Sequence, residues 1–249
     1  MKKFYKLIFL TTLIAISFSV AHSENIQNDL LYISGISSYN NNDVVSAKQK
    51  LETLITYTDK YPIAYFVLGK IYRKKAYLDL DKAKIAFNKF IDLSKDSKLK
   101  AYAKLHLAYI SIDQKDYVDA LNLAEGIYAE LPNDPDVKFC YAIILKDYGF
   151  HIYDSRTSIL DADKAIKYLK QSLSIRPGIF ETTNGFASLL LSLHEDYPKV
   201  QRNDCDEIQR LLNKAKSLIS VSNGFDVDKS ENRNVLVNAN QKRYENLCR

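Results

Sequence analysis

The strongest constraint on the fold is a set of small residues that recurs along the chain at nearly constant spacing. The first series has separations of 34, 39, 34 and 45 residues and consists of Gly35, Gly69, Ala108, Ala142 and Ala187. A second series, Ala47, Ala83, Ala120, Ala165 and more loosely Ile208, is followed four residues later by Leu51, Phe87, Ala124, Leu169 and Leu212. Residues four apart share one helical face, and small side chains let helices cross closely. The pattern therefore predicts a series of helical hairpins.

The second of these units carries the most detailed motif. It reads Tyr65-x2-Leu68-Gly69-x2-Tyr72, followed by Ala83-x3-Phe87. This segment resembles the tetratricopeptide repeat, with Tyr in place of the family's Trp and two extra residues between the helices. In the third and fourth units Pro132 and Pro177 follow the second small residue by 12 positions, where a proline would end the second helix.

The resemblance implies an all-α fold, a right-handed superhelical solenoid of about five tetratricopeptide-like helical hairpins. The expected units span about 28–61, 62–97, 101–134, 135–178 and 180–222. Asp59 and Lys95 replace the family's proline in the first two units, and insertions around Phe150 to Leu160 and Tyr197 to Cys205 lengthen the last two. Only seven glycines and five prolines in 249 residues also favour long helices over a sandwich or barrel.

A hairpin array needs a cap at its end, and residues 223–249 are predicted to be a linker followed by a C-terminal capping helix. Asn223-Gly224 would mark the break, and Ser230 is a plausible N-cap. One helical face would contain Leu236, Asn240, Tyr244 and Leu247. The segment is rich in Asn, Lys and Arg, so a frayed polar tail is the alternative.

The N-terminus has the layout of a secretory signal peptide over residues 1–23. A cationic stretch, Met1 to Lys6, precedes an apolar run from Leu7 to Phe18 that is too short to span a bilayer. Small residues place cleavage after Ser23 or after Ala21. The predicted location is the bacterial periplasm, with secretion as the second choice, and the mature chain is not expected to span a membrane.

The charge balance argues against nucleic acid as a partner. Cleavage after Ser23 would leave 32 basic and 30 acidic residues, so the net charge falls from +5 to +2. Such a chain, without a dense run of Lys or Arg, lacks the electrostatic footprint of nucleic-acid binding.

No catalytic motif stands out, and the chain is predicted not to be an enzyme and to need no cofactor. The H-E-x-x-H, G-x-S-x-G, P-loop and G-x-G-x-x-G patterns are missing from the sequence. His106 is interpreted as a packed or surface residue. His151 with Asp154, and His194 with Glu195 and Asp196, would need metal ligands from elsewhere in the fold, so no metal site is predicted.

Three cysteines allow one disulfide in an exported protein. Cys140 lies beside Ala142 and is predicted to be a buried thiol. Cys205 would open the last repeat helix and Cys248 would end the cap. A cap that folds back on that helix could bring Cys205 and Cys248 together.

In the tetratricopeptide family the first helix of each hairpin lines a concave groove, and the resemblance transfers this role by position. The corresponding residues are Tyr32, Ile36, Tyr39, Phe66, Lys70, Arg73, Lys74, Tyr102, Leu105, Tyr109, Phe139, Ile143 and Lys146. Aromatic surface beside basic side chains suits a peptide with acidic groups. The Lys and Asn of the family's carboxylate clamp are replaced here by Tyr32 and Ile36. Alternatively, several of these aromatic residues pack between hairpins and the basic residues are a solvated face.

The sequence thus predicts a non-enzymatic scaffold of the bacterial cell envelope that binds a protein or peptide in an aromatic and basic groove. A secreted or surface-exposed factor that acts on a host or neighbouring cell is the alternative. An enzyme with a site in the two insertions is a third hypothesis. The identity of the partner and the oligomeric state have no sequence signal.

Overall fold

The computed structural model describes residues 25–197, 204–222 and 227–248. These residues contain helices and turns and no strand. The predicted signal peptide, the Asn223-Gly224 break and most of the insertion from Tyr197 to Cys205 lie outside the described residues. The chain divides into two compact units between Leu107 and Ala108, and this boundary falls within the helix Ser97–Asp113.

The first unit is built from consecutive antiparallel helices. Asp43 and Asp79 cap two of them by accepting hydrogen bonds from backbone N–H groups in the first turn, and Pro62 begins a third. The two extra residues of the second hairpin belong to the connection between its helices, which contains a short 3-10 helix, Lys75–Tyr77. The helices are α1 (residues 25–40), α2 (Val44–Tyr57), α3 (Pro62–Tyr72), α4 (Leu80–Leu93) and the first part of α5 (Ser97–Asp113).

The small-residue positions of this unit lie where two helices meet. A Cβ atom added to Gly35 would stand 2.6 Å from Leu51 Cδ2, and one added to Gly69 would stand 2.8 Å from the Phe87 ring. Ala47 and Ala83 are fully buried. The predicted hairpin register is therefore confirmed here, because each first-series glycine contacts the apolar residue one turn after the second-series alanine.

Asp59, which replaces the family's proline, holds two helices of the second hairpin. Its carboxylate accepts a hydrogen bond from the Tyr65 hydroxyl in α3 and forms an ion pair with Lys89 in α4, 2.7 Å away. Burial, followed by the hydrogen bond to Asp59, raises the pKa of Tyr65 to about 12. Contacts of the Asp59 side chain with α3 and α4 thus occur at the position where the family has a proline.

The second unit continues the same arrangement. Asp116 and Asp134 cap helices, and Ser158 with Asp161 forms a capping box. Two helices end two residues before Pro132 and Pro177, as predicted. The helices after α5 are α6 (Tyr117–Glu130), α7 (Pro135–Asp154), α8 (Ile159–Ile175), α9 (Phe180–Asp196), α10 (Cys205–Ser222) and α11 (Val227–Cys248).

The predicted register also holds in the second unit. The residues of all three series in this unit are fully buried: Ala108, Ala120, Ala124, Ala142, Ala165, Leu169, Ala187, Ile208 and Leu212. Much of the insertion after Phe150 lengthens α7, which reaches 20 residues. Gly149 allows this longer helix to approach α8, since a Cβ atom there would stand 3.2 Å from the Ala165 carbonyl oxygen.

The capping helix α11 packs against α9 and α10, but two details of its prediction are wrong. The helix begins at Val227, so Ser230 lies inside its first turn and is not the N-cap. Leu236 and Leu247 are exposed, and the buried residues are Val237, Asn240 and Tyr244. Asn240 and Tyr244 lie on the buried face as predicted, and Val237 is buried there instead of Leu236 and Leu247.

Cys205, at the start of α10, and Cys248, at the end of α11, form a disulfide with Cα atoms 5.8 Å apart. Cys140 is a buried thiol on α7. Among the helices of the described residues, none combines the length and apolar character needed to cross a membrane.

Candidate functional site

Three predicted groove residues of the first unit form a compact group, here called the Tyr39 cluster: Tyr39, Lys70 and Lys74. The Lys70 and Lys74 ammonium nitrogens lie 5.4 and 5.5 Å from the centre of the Tyr39 ring. Both distances are within cation–π range. No acidic side chain in the described part of the chain pairs with either lysine. The cluster therefore presents two positive charges next to the Tyr39 ring, and Lys70 also lies 5.8 Å from the centre of the Phe66 ring.

Phe66 on α3 and Arg73, the residue that caps the end of this helix, are packed against the first unit's core. The Phe66 ring centre is 5.8 Å from that of Phe87 and 5.1 Å from that of Phe90, both fully buried. Arg73 Nη1 is 3.0 Å from His106 Nδ1. Phe66 thus contributes to packing as well as to the surface, and Arg73 is held by α5.

His106 is enclosed between rings. It stacks on Phe87 with ring centres 4.8 Å apart and meets the Phe66 ring edge-on at 5.7 Å. Burial, followed by the positive charges of Arg73 and Lys70, lowers the pKa of His106 to about 4. The imidazole is therefore neutral near pH 7 and accepts the Arg73 hydrogen bond through Nδ1. This geometry fits the predicted packed histidine.

The other predicted residues of the first unit lie elsewhere. Tyr32 stacks on Tyr61 with ring centres 4.6 Å apart, and Tyr61 in turn donates a hydrogen bond to Asp29. Tyr102 on α5 has the Lys98 ammonium 5.6 Å from its ring centre. Ile36 is half-buried and Leu105 is buried.

In the second unit, Phe139, Ile143 and Lys146 are spaced by four and three residues on α7 and share one helical face. Phe139 is 40% exposed, and the Arg176 guanidinium lies 4.6 Å from its ring centre. Lys146 forms an ion pair with Asp147 at 2.8 Å. Tyr109, near the end of α5, is half-buried.

The groove positions of the fifth hairpin, which sequence reasoning left out, are covered by the chain's own last helix. Asn184, Ser188 and Ser192 stand three residues before, one after and five after Ala187. These are the offsets of Phe66, Lys70 and Lys74 from Gly69. The three polar residues of this α9 face all bind α11. The shared offset from the small residue is the signal that would have identified them.

Two residues of α11 make most of these contacts. Asn240 donates from Nδ2 to Asn184 Oδ1 at 3.2 Å, and both side chains are buried. Arg243 donates to Ser188 Oγ at 3.2 Å and to Ser192 Oγ at 2.9 Å. Its guanidinium also forms a two-pronged ion pair with Glu195 at 2.6 and 2.9 Å. That hydrogen bonding lowers the pKa of the Glu195 carboxyl.

A second pair extends this attachment toward the start of α9. Arg233 forms an ion pair with Glu181 at 2.7 Å, and its guanidinium lies 4.8 Å from the Phe180 ring centre. The α9 face therefore binds α11 through amide, hydroxyl and carboxylate groups that are distributed over several turns.

A separate cavity of about 290 Å³ lies among α8, α9 and α10. Leu173 and Phe186 supply apolar walls, and Lys170, Arg210 and Lys214 supply positive charge. Arg210 is neutralised in part by two hydrogen bonds to Glu207, 2.7 and 2.8 Å long. Sequence reasoning did not identify this cavity, because its lining comes from three helices.

His151 and the two acids that follow His194 have other contacts. His151 stacks on Tyr117 with ring centres 4.3 Å apart. The acids that follow His194 are engaged by arginines, since Glu195 binds Arg243 and Asp196 binds Arg156. Neither acid is therefore available as a neighbouring metal ligand.

Comparison with known proteins gives a structural likeness only. No family model and no curated protein matches the chain. A double mutant of MamA RS-1 superposes with a TM-score of 0.56 at 14% identity, over 80% of this chain and 98% of the other. MamA from Desulfovibrio magneticus RS-1 gives 0.55 at 14% identity, over 79% and 97%. YrrB, described as a TPR protein with an unusual peptide-binding site, gives 0.53 at 14% identity, over 84% and 88%.

This chain has a tetratricopeptide-type repeat fold. The helical hairpins and their small-residue crossings provide the same conclusion from within the molecule. At 14% identity the likeness establishes the fold, and the function has to be argued from the surfaces described above.

Proposed function

We propose that this protein is a non-enzymatic interaction scaffold that binds an acidic helical segment of another protein on its groove-facing helices. The observation that carries the proposal is the docking of α11 on the α9 face. Positions with the same offsets from Gly69 carry the Tyr39 cluster's lysines, Lys70 on α3 and Lys74 two residues after its end. Because the α9 face of the fifth hairpin holds a helix, we expect the corresponding face of the second hairpin to bind a helix in the same way.

The charges of the Tyr39 cluster favour acidic partners. Lys70 and Lys74 have a ring beneath them and no described acidic partner, so a glutamate or aspartate on an incoming helix would form charge-assisted contacts with them. Tyr39 adds aromatic contact area at little entropic cost. YrrB, one of the similar structures, is described as having a peptide-binding site, which is consistent with a peptide as the ligand.

The location belongs to the same proposal. The signal-peptide pattern of residues 1–23 supports export, and the bacterial periplasm is the compartment proposed for the scaffold. A secreted or surface-exposed factor is the second candidate, because the same pattern supports it equally. Fractionation of cells separates the two: the periplasmic scaffold is retained with the envelope, and the secreted factor accumulates in the medium.

Binding to designed helical peptides tests the interaction. One peptide carries glutamates along one face, and its partner carries lysines at the same positions. Fluorescence anisotropy should show binding of the acidic peptide only. The double variant Lys70→Glu/Lys74→Glu should weaken it about tenfold or more, since a loss of about 1.4 kcal/mol changes affinity tenfold.

The matched control reverses two other lysines of the first unit, Lys84→Glu/Lys95→Glu, both exposed. It makes the same change in net charge and should leave the affinity within about twofold, as expected for a surface charge away from the contact. An equal loss in both variants would mean that the peptide responds to overall charge. Phe66→Ala is unsuitable as a test, because Phe66 also packs on Phe87 and Phe90.

A further inference from the structure

A histidine side chain, which can bind metal ions, lies next to the two cysteines of the disulfide. His194 lies in the last turn of α9, Cys205 begins α10 and Cys248 ends α11. A ligand atom from each of the three residues lies within 4.8 Å of the other two. All three residues are half-buried. Three helices thus converge on one point with one imidazole and two sulfurs.

The imidazole has an unused ring nitrogen. His194 Nε2 is buried, and none of the described residues forms a hydrogen bond with it. Buried polar atoms are normally paired, so this one calls for a partner that the described residues do not supply. The adjacent acids do not satisfy it, because Glu195 and Asp196 bind Arg243 and Arg156.

We propose that the dithiol form of this chain binds Zn²⁺ through His194, Cys205 and Cys248. Two thiolates and an imidazole are ligands that zinc prefers. Zinc bonds of about 2.0–2.3 Å in tetrahedral geometry place two ligand atoms about 3.5–3.8 Å apart. A ring nitrogen of His194 lies within 4.8 Å of both sulfurs, and after reduction the two sulfurs would move apart from their bonded position to reach that spacing. The fourth position would be open to water.

The metal form and the disulfide form exclude each other. On binding, the two thiols release two protons to solvent and Zn²⁺ takes both thiolates. When a small-molecule disulfide such as oxidised glutathione reacts, one thiolate attacks a sulfur of that disulfide and releases one thiolate of the reagent. The second cysteine thiolate then displaces the other, so two electrons pass to the reagent and Zn²⁺ leaves unchanged in charge.

Both forms join α10 to α11. The disulfide links α10 to α11, and the zinc form would link these two helices and α9 as well. The attachment of the last helix would therefore persist under reducing conditions wherever zinc is present. A reduced chain without zinc would have neither the disulfide link nor the metal link.

Titration of the purified chain with ZnCl₂ tests the proposal, after reduction by a phosphine that does not itself supply a thiol. Competition with a chromophoric chelator should show one tightly bound zinc per reduced chain and none per oxidised chain. Co²⁺ in place of zinc should produce thiolate-to-cobalt absorption bands. Circular dichroism checks that each sample keeps its helices.

Variants assign the ligands. Cys205→Ser and Cys248→Ser should each weaken zinc binding about 100-fold or more, beyond the 10–100-fold typical of residues that only support a ligand, and His194→Gln should change the cobalt spectrum. The controls Cys140→Ser and His151→Gln should change neither. A reduced, helical chain that binds no zinc, or variants at Cys205 and Cys248 that bind it unchanged, would overturn the proposal. If a cysteine variant fails to fold, the cobalt absorption bands of the unaltered reduced chain still show whether thiolates bind the metal.

Discussion

At the scale of single residues, two glycines in helices have opposite roles. A Cβ atom at Gly69 would stand 2.8 Å from the ring of Phe87, which is fully buried, whereas one at Gly126 would have no atom within 4 Å. Gly69→Ala should therefore destabilise the protein by about 1–3 kcal/mol through overpacking. Gly126→Ala should stabilise it by about 0.5–1 kcal/mol, because alanine is the better helix former. Urea denaturation of both variants measures this difference, and a stable Gly69→Ala protein would contradict the assigned helix crossing.

His106 gives the stability a dependence on pH. Its pKa is lowered to about 4 in the folded chain from 6.5, so between these values the unfolded chain binds a proton that the folded chain does not. Stability contributed by the neutral imidazole is complete above pH 6.5 and falls as the pH drops toward 4, by about 3 kcal/mol in total.

The test compares the unaltered chain with His106→Gln, which keeps an acceptor for Arg73. Denaturation midpoints across pH 4–7 should fall less steeply for the variant. Parallel curves for the two proteins would place the acid sensitivity in other groups.

At the scale of helices, α11 is held by polar contacts as well as by the apolar packing of Val237 and Tyr244. The pair of Asn184 and Asn240 is buried, so removing one partner leaves the other unsatisfied. Asn240→Ala should lower the free energy of unfolding by about 1–3 kcal/mol. Asn184→Ala should lower it by much less in that variant than in the unaltered chain. A double-mutant cycle in urea measures the coupling. Asn238→Ala, on the exposed side of the same helix, should change stability by less than about 0.5 kcal/mol.

The hairpins could be predicted from the sequence because each rests on local spacing. Gly69 and Ala83 with Phe87 define a crossing within one repeat, and the structure buries all three as expected. The last helix was harder to predict, since its polar sequence has a weak apolar face, and two of the four predicted face residues, Leu236 and Leu247, are exposed. Its contact between Asn184 and Asn240 spans 56 residues, a separation that helical periodicity does not encode.

The candidate site was predictable to a similar extent. The resemblance placed Tyr39, Lys70 and Lys74 on groove-facing positions, and the structure brings these three together. The alternative, in which several of the aromatic residues pack within the array, describes Phe66, which packs on fully buried rings, and Tyr32, which stacks on Tyr61. Those contacts depend on the direction in which each side chain turns, which spacing alone does not determine.

At the scale of the whole molecule, the disulfide should stabilise the chain locally. It closes a loop of 43 residues, which corresponds to about 4 kcal/mol in the chain-entropy relation. Repeat arrays are stabilised mainly by contacts between neighbours, so the loss on reduction should concentrate near the link.

Amide hydrogen exchange with a chelator present tests this expectation. Reduction should speed exchange most in α11, α10 and α9, and least in α2, α3 and α4. An increase of equal size in every helix would show that the chain unfolds as one cooperative unit. Cys140→Ser, treated in the same way, controls for loss of a thiol elsewhere.

The polar contacts of α11 also bear on how the cysteines find each other. Three thiols allow three pairings, and Cys140 is buried within α7. Arg233, Asn240 and Arg243 each have a specific partner on α9, so a helix displaced by one turn, about 5.4 Å, would lose all of these contacts at once. We therefore expect docking in this register to place Cys248 beside Cys205 in the reduced chain. Oxidation of the reduced chain should then form this pair without scrambled isomers that require a disulfide isomerase.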